Sequence, residues 1–411
     1  MNIGLLGFGV VGGGVLELAQ SRGDITVSRV LLRSPKAALP EGMATYDFSD
    51  ILQDDAIDTV VEVMGGLHPA YEYVTAAMER GKNVVTANKA LIAAYYQELT
   101  ALAKEKGVAL RCTAAVGGGI PWLVNLARAK RLDAVCAVGG IMNGTTNFIM
   151  DAMHKAPVDF PAILKEAQEL GYAEADPSAD IDGDDIRRKL CISANIAFDA
   201  VLDETAIPTF GIRTVTAADI AAFKSHGFVC RLLAAAEAAE NGVCAYVEPT
   251  LVAASELEAA VPANFNLITY EGEQIGRQSF YGQGAGQMPT AANVMQDCLS
   301  IQEGRWGFYA RQAAPTALDG SSEAHPYYVR TAAPDTWLKA HTADVWDSSD
   351  EQVPACEGMA GFTTAVAAPI LCEGDVLGLV LFLTSDDRAA GETEYKLAQT
   401  VAAFLGKNME N

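Results

Sequence analysis

The stretch Gly7-Phe8-Gly9-Val10-Val11-Gly12 fits the pattern G-x-G-x-x-G and lies between two regular segments. Residues 3–6 before it are apolar and predict a strand, whereas residues 10–20 after it predict a helix. In this setting the first glycine permits a tight turn, the second lets the backbone approach a pyrophosphate, and the third allows close packing of helix against strand. The N–H groups at the helix start would face the anion. We therefore predict that these six residues bind a dinucleotide.

Strand and helix patterns continue to alternate along the N-terminal part of the chain. The predicted strands are residues 25–32, 60–64, 83–86 and 108–112, and the predicted helices are residues 69–80 and 91–106. Alternation of this kind predicts an α/β fold of the Rossmann type, with a doubly wound parallel sheet and right-handed crossovers.

The pattern changes after residue 132 and predicts a second, α+β domain. The predicted strands there are residues 134–141, 244–252, 266–270 and 275–281, and the predicted helices are residues 147–154, 160–170 and one that begins near Asp185. A last helix, at 289–301, is expected to return to the first domain. We predict a dinucleotide-binding domain over 1–131, completed by the helix in 287–305, a substrate-binding domain over 132–286, and a small C-terminal α/β appendage over 325–411.

Composition limits the partners and the location of the protein. The net charge of −23 repels phosphate backbones and anionic membrane surfaces, so we predict no nucleic-acid or membrane partner. The eight cysteines include no C-x-x-C pair, which argues against zinc and against a disulfide framework. No basic leader precedes the glycine stretch, and each longer apolar run is interrupted before it reaches the length of a membrane span. We predict a cytoplasmic protein that acts on a small molecule.

Asp185 and Lys189 lie four residues apart at the start of a helix, after an acidic run over residues 171–183. That spacing places a carboxylate and an ammonium on one helical face. Together with the dinucleotide stretch, a lysine proton donor and several carboxylates indicate reduction of a polar carbonyl compound. The alternative is an ordinary helix ion pair, worth about 0.2–0.5 kcal/mol. A calcium site over 176–185 is disfavoured, because the glycine is misplaced for an EF-hand loop and no glutamate closes it.

The end of the second predicted strand bears on the choice of cofactor. Sites that favour NAD often carry an acid here, which accepts a hydrogen bond from the ribose 2′-hydroxyl. Residues 31–36 contain no carboxylate and include Arg33, which would attract a 2′-phosphate. We predict NADP, with NAD as the alternative; an ordinary solvated loop arginine is the other interpretation of Arg33.

Six segments, taken in order, carry a family resemblance over roughly residues 1–330. They are the glycine stretch at 7–14, T-A-N-K-A-L at 86–91, A-V-G-G-G-I-P at 115–121, N-G-T-T-N-F-I at 143–149, the acidic run and helix start at 171–189, and the glycine-rich segment at 282–290. Together they resemble homoserine dehydrogenase. The resemblance implies reduction of L-aspartate 4-semialdehyde to L-homoserine with NADPH or NADH, in the biosynthesis of threonine, methionine and isoleucine.

The resemblance also implies roles for single side chains. Lys189 is the proton donor to the carbonyl oxygen, and Asp185 lies beside it in the substrate site. Lys89 lies near the nicotinamide and the substrate, although a lysine at a strand-to-helix turn is often only solvated. Glu174 binds the substrate through its ammonium group, and Asp180 and Asp185 are further carboxylates for that charge.

Backbone positions and assembly follow from the same resemblance. The implied contacts are Gly171 and Gly286 for the cofactor, and the carbonyls of Val116, Gly118 and Ile120 for a sodium or potassium ion. The family often has a glutamate three residues before that valine, where this chain has Thr113. A homodimer, or a higher homo-oligomer, formed through the sheet of the second domain is also implied.

Two other functions are compatible with the residues alone. A non-catalytic regulator that senses a dinucleotide would keep the glycine stretch and signal through the C-terminal segment. An oxidoreductase of another amino-acid semialdehyde or of a keto acid would keep the whole site. The presence of Lys189 and Glu174 argues against the regulator, because a protein that only binds a dinucleotide needs neither.

The C-terminal segment resembles parts of two regulatory domains. H-P-Y-Y-V-R at 325–330 begins like an ACT domain, whereas residues 368–378 and 403–407 resemble the end of the GAF-like domain of stage V sporulation protein T. The predicted elements are strands at 365–371 and 376–384 and a final helix at 392–405. A fusion of unrelated segments and a packing or dimer-contact appendage are the alternatives, so the sequence gives no basis for predicting control by threonine.

Overall fold

The computed structural model describes residues 1–34, 39–308, 314–320, 328, 363–372, 375–384 and 401–402. The chain divides into two compact units, Met1–Gly320 and Ser321–Asn411. The predicted final helix at 392–405 lies outside the described residues except for Val401 and Ala402, and the ACT-like start lies outside them except for Tyr328. Among the helices of the described part, none has both the length and the apolar character to cross a membrane.

The first half of the larger unit is a parallel sheet with helices on both faces. Its elements are β1 (Asn2–Leu6), α1 (Val10–Gln20), β2 (Thr26–Leu31), β3 (Ala44–Thr45), α2 (Ser49–Leu52), β4 (Thr59–Glu62), α3 (Ala70–Glu79), β5 (Asn83–Thr86), α4 (Lys89–Lys106) and β6 (Leu110–Arg111). The six strands lie in the order β3-β2-β1-β4-β5-β6. This order reverses between β1 and β4, and dinucleotides bind at the carboxyl ends of strands at such a point. The predicted doubly wound parallel sheet is confirmed.

The second half of this unit is built on an antiparallel sheet. Its elements are α5 (Trp122–Ala129), β7 (Val135–Ile141), α6 (Gly144–Lys155), α7 (Phe160–Glu169), α8 (Ser178–Ile181), α9 (Asp184–Phe198), α10 (Ala217–Ser225), β8 (Phe228–Ala239), β9 (Gly242–Ala253), β10 (Phe265–Gly272), β11 (Gly276–Gln283) and α11 (Gln287–Gln302). The five strands lie in the order β11-β10-β7-β8-β9. The predicted α+β character of this half is confirmed.

Strand β8 has no counterpart among the predicted strands. Five of its last six residues, 234–239, are alanine, which is the strongest helix former and is depleted in strands. The strand nevertheless pairs along its whole length with β9 and over residues 234–237 with β7. Pairing on both sides therefore outweighs the local propensity of this segment.

Helix α11 returns to the parallel sheet and packs against α1. Ile3 and Leu5 of β1 share one apolar layer with Val15 of α1 and with Ala291 and Val294 of α11. The close approach depends on a glycine in α1: a Cβ at position 14 would lie 2.9 Å from the Cβ of Ala291. Helix α11 therefore packs against the parallel-sheet half of the unit.

Helix α9 is the central helix of the antiparallel half, and it carries Asp185 and Lys189. It begins after Gly183, whose φ of 94° is in the left-handed region, and both of these side chains are buried. Its apolar residues, among them Ile186 and Leu190, belong to a core that also contains residues of α4 and β7. The helix thus lies where the two halves of the unit meet.

The smaller unit contains one described sheet. Strands β12 (Thr363–Cys372) and β13 (Asp375–Thr384) pair antiparallel along their length. Both strands were expected from the sequence, and their presence is confirmed.

The packing of α1 against α11 predicts opposite effects for two adjacent glycines. Gly14→Ala should lower the Tm, because its Cβ would lie 3.1 Å or less from three atoms of Gln287 and Ala291. Gly13→Ala should leave the Tm unchanged or raise it, because the nearest atom is 3.5 Å away and alanine is favoured over glycine in a helix by about 1 kcal/mol. Thermal unfolding of the two variants measures the difference. Equal Tm values would contradict the close approach of the helices.

Candidate active site

The predicted dinucleotide turn lies between β1 and α1. Gly7 has a φ of 98°, and α1 begins directly after Gly9. A Cβ at Gly12 would lie 2.4 Å from the carbonyl oxygen of Gly7, so a larger residue would open the turn. The first N–H groups of α1 have no acceptor within the helix and, with the helix dipole, favour an anion. The local geometry is that of a pyrophosphate-binding turn.

Glu62 ends β4 as a fully buried carboxylate beside this turn. Its Oε1 accepts hydrogen bonds from the N–H groups of Met64 (2.7 Å) and Gly65 (3.3 Å), and its Oε2 accepts one from the Thr86 hydroxyl (2.6 Å). Burial raises the pKa of Glu62, and the hydrogen bonds oppose that shift. Met64 packs against Gly7, so the carboxylate fixes the loop that flanks the turn. Sequence reasoning missed Glu62, although a carboxylate within the apolar run V-V-E-V-M was a usable signal.

Asn88 extends this network to the start of α4. Its N–H donates to the Thr86 hydroxyl at 2.9 Å, and its side-chain amide donates to the carbonyl oxygen of Gly66 at 2.6 Å. Its Oδ1 caps α4 by accepting from the N–H of Leu91 at 3.1 Å. Because Lys89 is the first residue of α4, these contacts fix the position of the Lys89 backbone, from which its side chain extends.

Asp185 lies between two lysine ammonium groups. Its Oδ1 is 2.6 Å from Nζ of Lys89, and its Oδ2 is 2.7 Å from Nζ of Lys189. Lys189 also donates to the carbonyl oxygen of Met142 at 2.7 Å. Asp185 and Lys189 are buried, whereas the Lys89 side chain is 40% exposed. The cluster therefore has a buried end at Lys189 and an open end at Lys89.

The charges in this cluster shift the pKa of each member. Burial alone would raise the pKa of Asp185, but the charges of Lys189 and Lys89 outweigh it and hold the pKa well below its usual range. The charge of Asp185 raises the pKa of Lys89. Burial lowers the pKa of Lys189, and repulsion from Lys89 adds to this shift, while attraction to Asp185 opposes it. A lysine whose pKa is lowered is better matched to proton transfer near neutral pH.

Asn143 links the cluster to a second carboxylate. Its Nδ2 donates to Asp185 at 2.8 Å and to Asp180 at 2.7 Å. Its Oδ1 caps α6 by accepting from the N–H of Thr146 at 2.8 Å. Burial, followed by the charge of Asp185, raises the pKa of Asp180. Four predicted site residues, the two lysines and the two aspartates, are thus brought together, and Asn143 is an addition that the sequence did not single out.

Glu174 is not part of this cluster. Its side chain is exposed, and within the described part of the chain its carboxylate makes no hydrogen bond or ion pair. Two residues earlier, the carbonyl oxygen of Tyr172 accepts a hydrogen bond from the Thr145 hydroxyl at 2.6 Å, so this segment passes near the start of α6. The remaining predicted cofactor residues are Arg33, exposed just after β2, Gly171, exposed with a φ of 76°, and Gly286, which precedes α11 with a φ of 124°.

The turn that follows β6 bears on the expected cation. The carbonyl oxygens of Gly118 and Ile120 accept hydrogen bonds from the side-chain amide of Asn293 at 2.5 and 3.0 Å. Thr113 occupies the position at which the family often has a glutamate ligand. Of the three carbonyl oxygens predicted to bind the ion, that of Val116 is the one to which Asn293 does not donate. The residues present therefore do not fit a sodium or potassium ion. Within the described segments, no three His, Cys, Asp or Glu side chains are grouped so that they could hold a metal ion.

A pyrophosphate-binding turn and a buried lysine–carboxylate cluster within one compact unit define a dinucleotide-dependent oxidoreductase. Residues 7–113 match the NAD-binding domain of homoserine dehydrogenase, residues 121–299 match the homoserine dehydrogenase family, and residues 336–410 match the C-terminal domain of stage V sporulation protein T, a transcription factor. The chain therefore belongs to the homoserine dehydrogenase family and is an NAD(P)-dependent oxidoreductase. The resemblance found in the sequence is confirmed at both ends of the chain.

Individual relatives agree with this assignment. The homoserine dehydrogenase of Lactococcus lactis subsp. lactis is 36% identical over 423 residues, which cover 97% of each chain. The structure of a homoserine dehydrogenase from Thiobacillus denitrificans superposes with a TM-score of 0.74 at 38% identity, over 77% of this chain and 79% of that one. A hyperthermophilic archaeal homoserine dehydrogenase in complex with NADPH shares the fold, with a TM-score of 0.64 at 23% identity, over 74% of this chain and 98% of that one.

The Glu62 network predicts an effect on cofactor affinity. Glu62→Ala should weaken binding of a reduced nicotinamide dinucleotide by about ten- to a hundredfold, because hydrogen bonds to a buried charged group are worth about 1.5–3 kcal/mol. The dissociation constant is measured from the fluorescence of the bound cofactor. Glu62→Gln is the matched control: it keeps an acceptor for the Met64 and Gly65 N–H groups and should lose less affinity. Wild-type affinity in Glu62→Ala would show that the loop does not depend on this carboxylate.

Proposed function

We propose that this protein catalyses the reversible reduction of L-aspartate 4-semialdehyde to L-homoserine, on the route to threonine, methionine and isoleucine. One observation carries the proposal: a buried lysine ammonium, Lys189, is held by Asp185 and by a backbone carbonyl in the same unit as a dinucleotide turn. A lysine has three N–H donors, and two of them are engaged in these contacts. The third is available for the oxygen of a substrate.

The chemistry needs a proton donor at that position. A bound reduced dinucleotide supplies the hydride to the aldehyde carbon, and negative charge then develops on the carbonyl oxygen. Lys189 stabilises that charge and transfers its proton to the oxygen, which leaves a neutral amine and an alcohol. In the reverse direction the neutral amine accepts the proton of the homoserine hydroxyl. Asp185 orients Lys189 and supports its charged form.

The remaining site residues are proposed to bind the ligands. Lys89, at the exposed end of the cluster, lies near the nicotinamide and the substrate. Asp180 and the exposed carboxylate of Glu174 are partners for the substrate ammonium. The cofactor contacts are the turn of residues 7–12, Gly171, Gly286 and Arg33. Because Arg33 follows β2 and no carboxylate stands beside it, we propose NADP as the preferred cofactor.

We propose that residues 1–131 with the helix in 287–305 bind the cofactor, that residues 132–286 bind the substrate, and that residues 325–411 form an appendage. Two copies of the chain would associate through the five-stranded sheet as a homodimer, in the cytoplasm.

Loss of the proton donor should lower turnover strongly without loss of cofactor binding. Lys189→Met keeps the volume and removes the ammonium, so kcat should fall by about 10²- to 10⁴-fold. The assay follows absorbance of the reduced cofactor with homoserine and NADP or NAD. Lys130→Met is the control: it removes another lysine that pairs with an aspartate, Asp199, and whose side chain is 17% exposed, and it should keep its activity. Near-normal turnover in Lys189→Met would show that another group donates the proton.

The pH profile tests the coupling of Asp185 to Lys189. Homoserine oxidation requires the neutral amine, so its rate rises with pH through the pKa of Lys189. The carboxylate of Asp185 raises that pKa, and Asp185→Asn should therefore lower it further. The acidic limb of kcat/KM for homoserine oxidation should move to lower pH in Asp185→Asn, at reduced maximal rate. An acidic limb that stays in place, or that moves to higher pH, would show that this limb does not report the titration of Lys189.

A further inference from the structure

The turn at residues 116–120 joins β6 to α5 and is held from outside by α11. Gly117 and Gly118 both have positive φ, of 83° and 53°. A Cβ at Gly118 would lie 2.5 Å from the carbonyl oxygen of Gly284, so the turn touches the glycine-rich segment before α11. Carbonyl groups in such a tight turn need donors or a cation to balance them.

Asn293 of α11 supplies those donors. The residue is 5% exposed, and its Nδ2 donates to the carbonyl oxygens of Gly118 and Ile120. The Ile120 oxygen also accepts from the N–H of Trp122 at 2.8 Å. A carbonyl oxygen has two lone pairs, so both lone pairs of Ile120 are engaged.

A cation in this turn would need a carboxylate to balance its charge, and the carboxylate of Asp297 already has other partners. Both the N–H and the hydroxyl of Thr113 donate to Asp297, at 2.8 and 2.7 Å. Asp297 is paired with the guanidinium of Arg111 at 2.8 Å, and both side chains are buried. This carboxylate is therefore already balanced by a fixed positive charge, and an added cation would be repelled by Arg111.

We propose that the carboxamide of Asn293 takes the place of the monovalent cation that the family resemblance implies. The N–H bonds of a neutral amide satisfy the same carbonyl oxygens without the cost of removing an ion from water. Asn293 is a positioning residue: it holds Gly118 against Gly284, close to Gly286. It follows that neither the stability nor the activity of this protein depends on sodium or potassium.

The wild-type protein provides the first test. Its Tm and its kcat with homoserine are compared in sodium chloride, potassium chloride and tetramethylammonium chloride at equal ionic strength, since tetramethylammonium is too large for a carbonyl turn. Equal Tm and equal kcat in the three salts are expected. A Tm or a kcat that rises specifically with sodium or potassium would overturn the proposal. The Tm does not require turnover, so a failure of the proposed function would be seen separately.

Substitution of Asn293 provides the second test. Asn293→Asp places oxygen where the donor was, so its Tm should be several degrees lower in tetramethylammonium chloride and should recover with sodium or potassium. Asn125→Asp is the matched control, because its side-chain amide also donates to a backbone carbonyl, that of Pro121, but at the surface. The control should show no cation-specific recovery. If Asn293→Asp fails to fold, the wild-type comparison decides alone; if it folds with a Tm independent of the cation, the turn does not use the amide in place of an ion.

Discussion

The carboxylate of Asp185 lies between the ammonium groups of Lys89 and Lys189, and the geometry of the site depends on this arrangement. Burying a charge costs several kcal/mol unless a partner compensates it. Lys89 comes from α4, a helix of the half that contains the parallel sheet. Asp185 and Lys189 come from α9, a helix of the half that contains the antiparallel sheet. The ion cluster therefore exists only when the two halves of the larger unit pack together, and its charges are placed at their junction.

Hydrogen bonds of buried polar side chains perform a similar task beside the glycine turn. Glu62, Thr86 and Asn88 connect the loop after β4 to the first turn of α4. Asn293 holds the turn at residues 116–120 from the opposite side. Each of these side chains is buried and fixes backbone rather than meeting solvent. Groups held in this way need little rearrangement when charge develops during a reaction, which is the condition for electrostatic stabilisation of a transition state.

Local patterns in the sequence predicted the parts of the site that are local in the chain. The glycine spacing at residues 7–12 and the four-residue spacing of Asp185 and Lys189 each follow from one element, so turn and helix geometry suffice. The pairing of Lys89 with Asp185, the donation from Asn143 to Asp185 and the donation from Asn293 to Gly118 join residues far apart in the chain. Only the packed fold brings these together. Strand β8 shows the same limit. Its alanines favour a helix locally, and pairing with β7 and β9 outweighs that preference.

The most direct test is a crystal structure of the protein with the oxidised cofactor and homoserine bound. In that complex the homoserine hydroxyl oxygen should lie within about 2.6–3.2 Å of Nζ of Lys189, while Asp185 still contacts both lysines. A complex in which Nζ of Lys189 remains out of reach of that oxygen, or in which another side chain occupies the donor position, would contradict the role of Lys189 as proton donor.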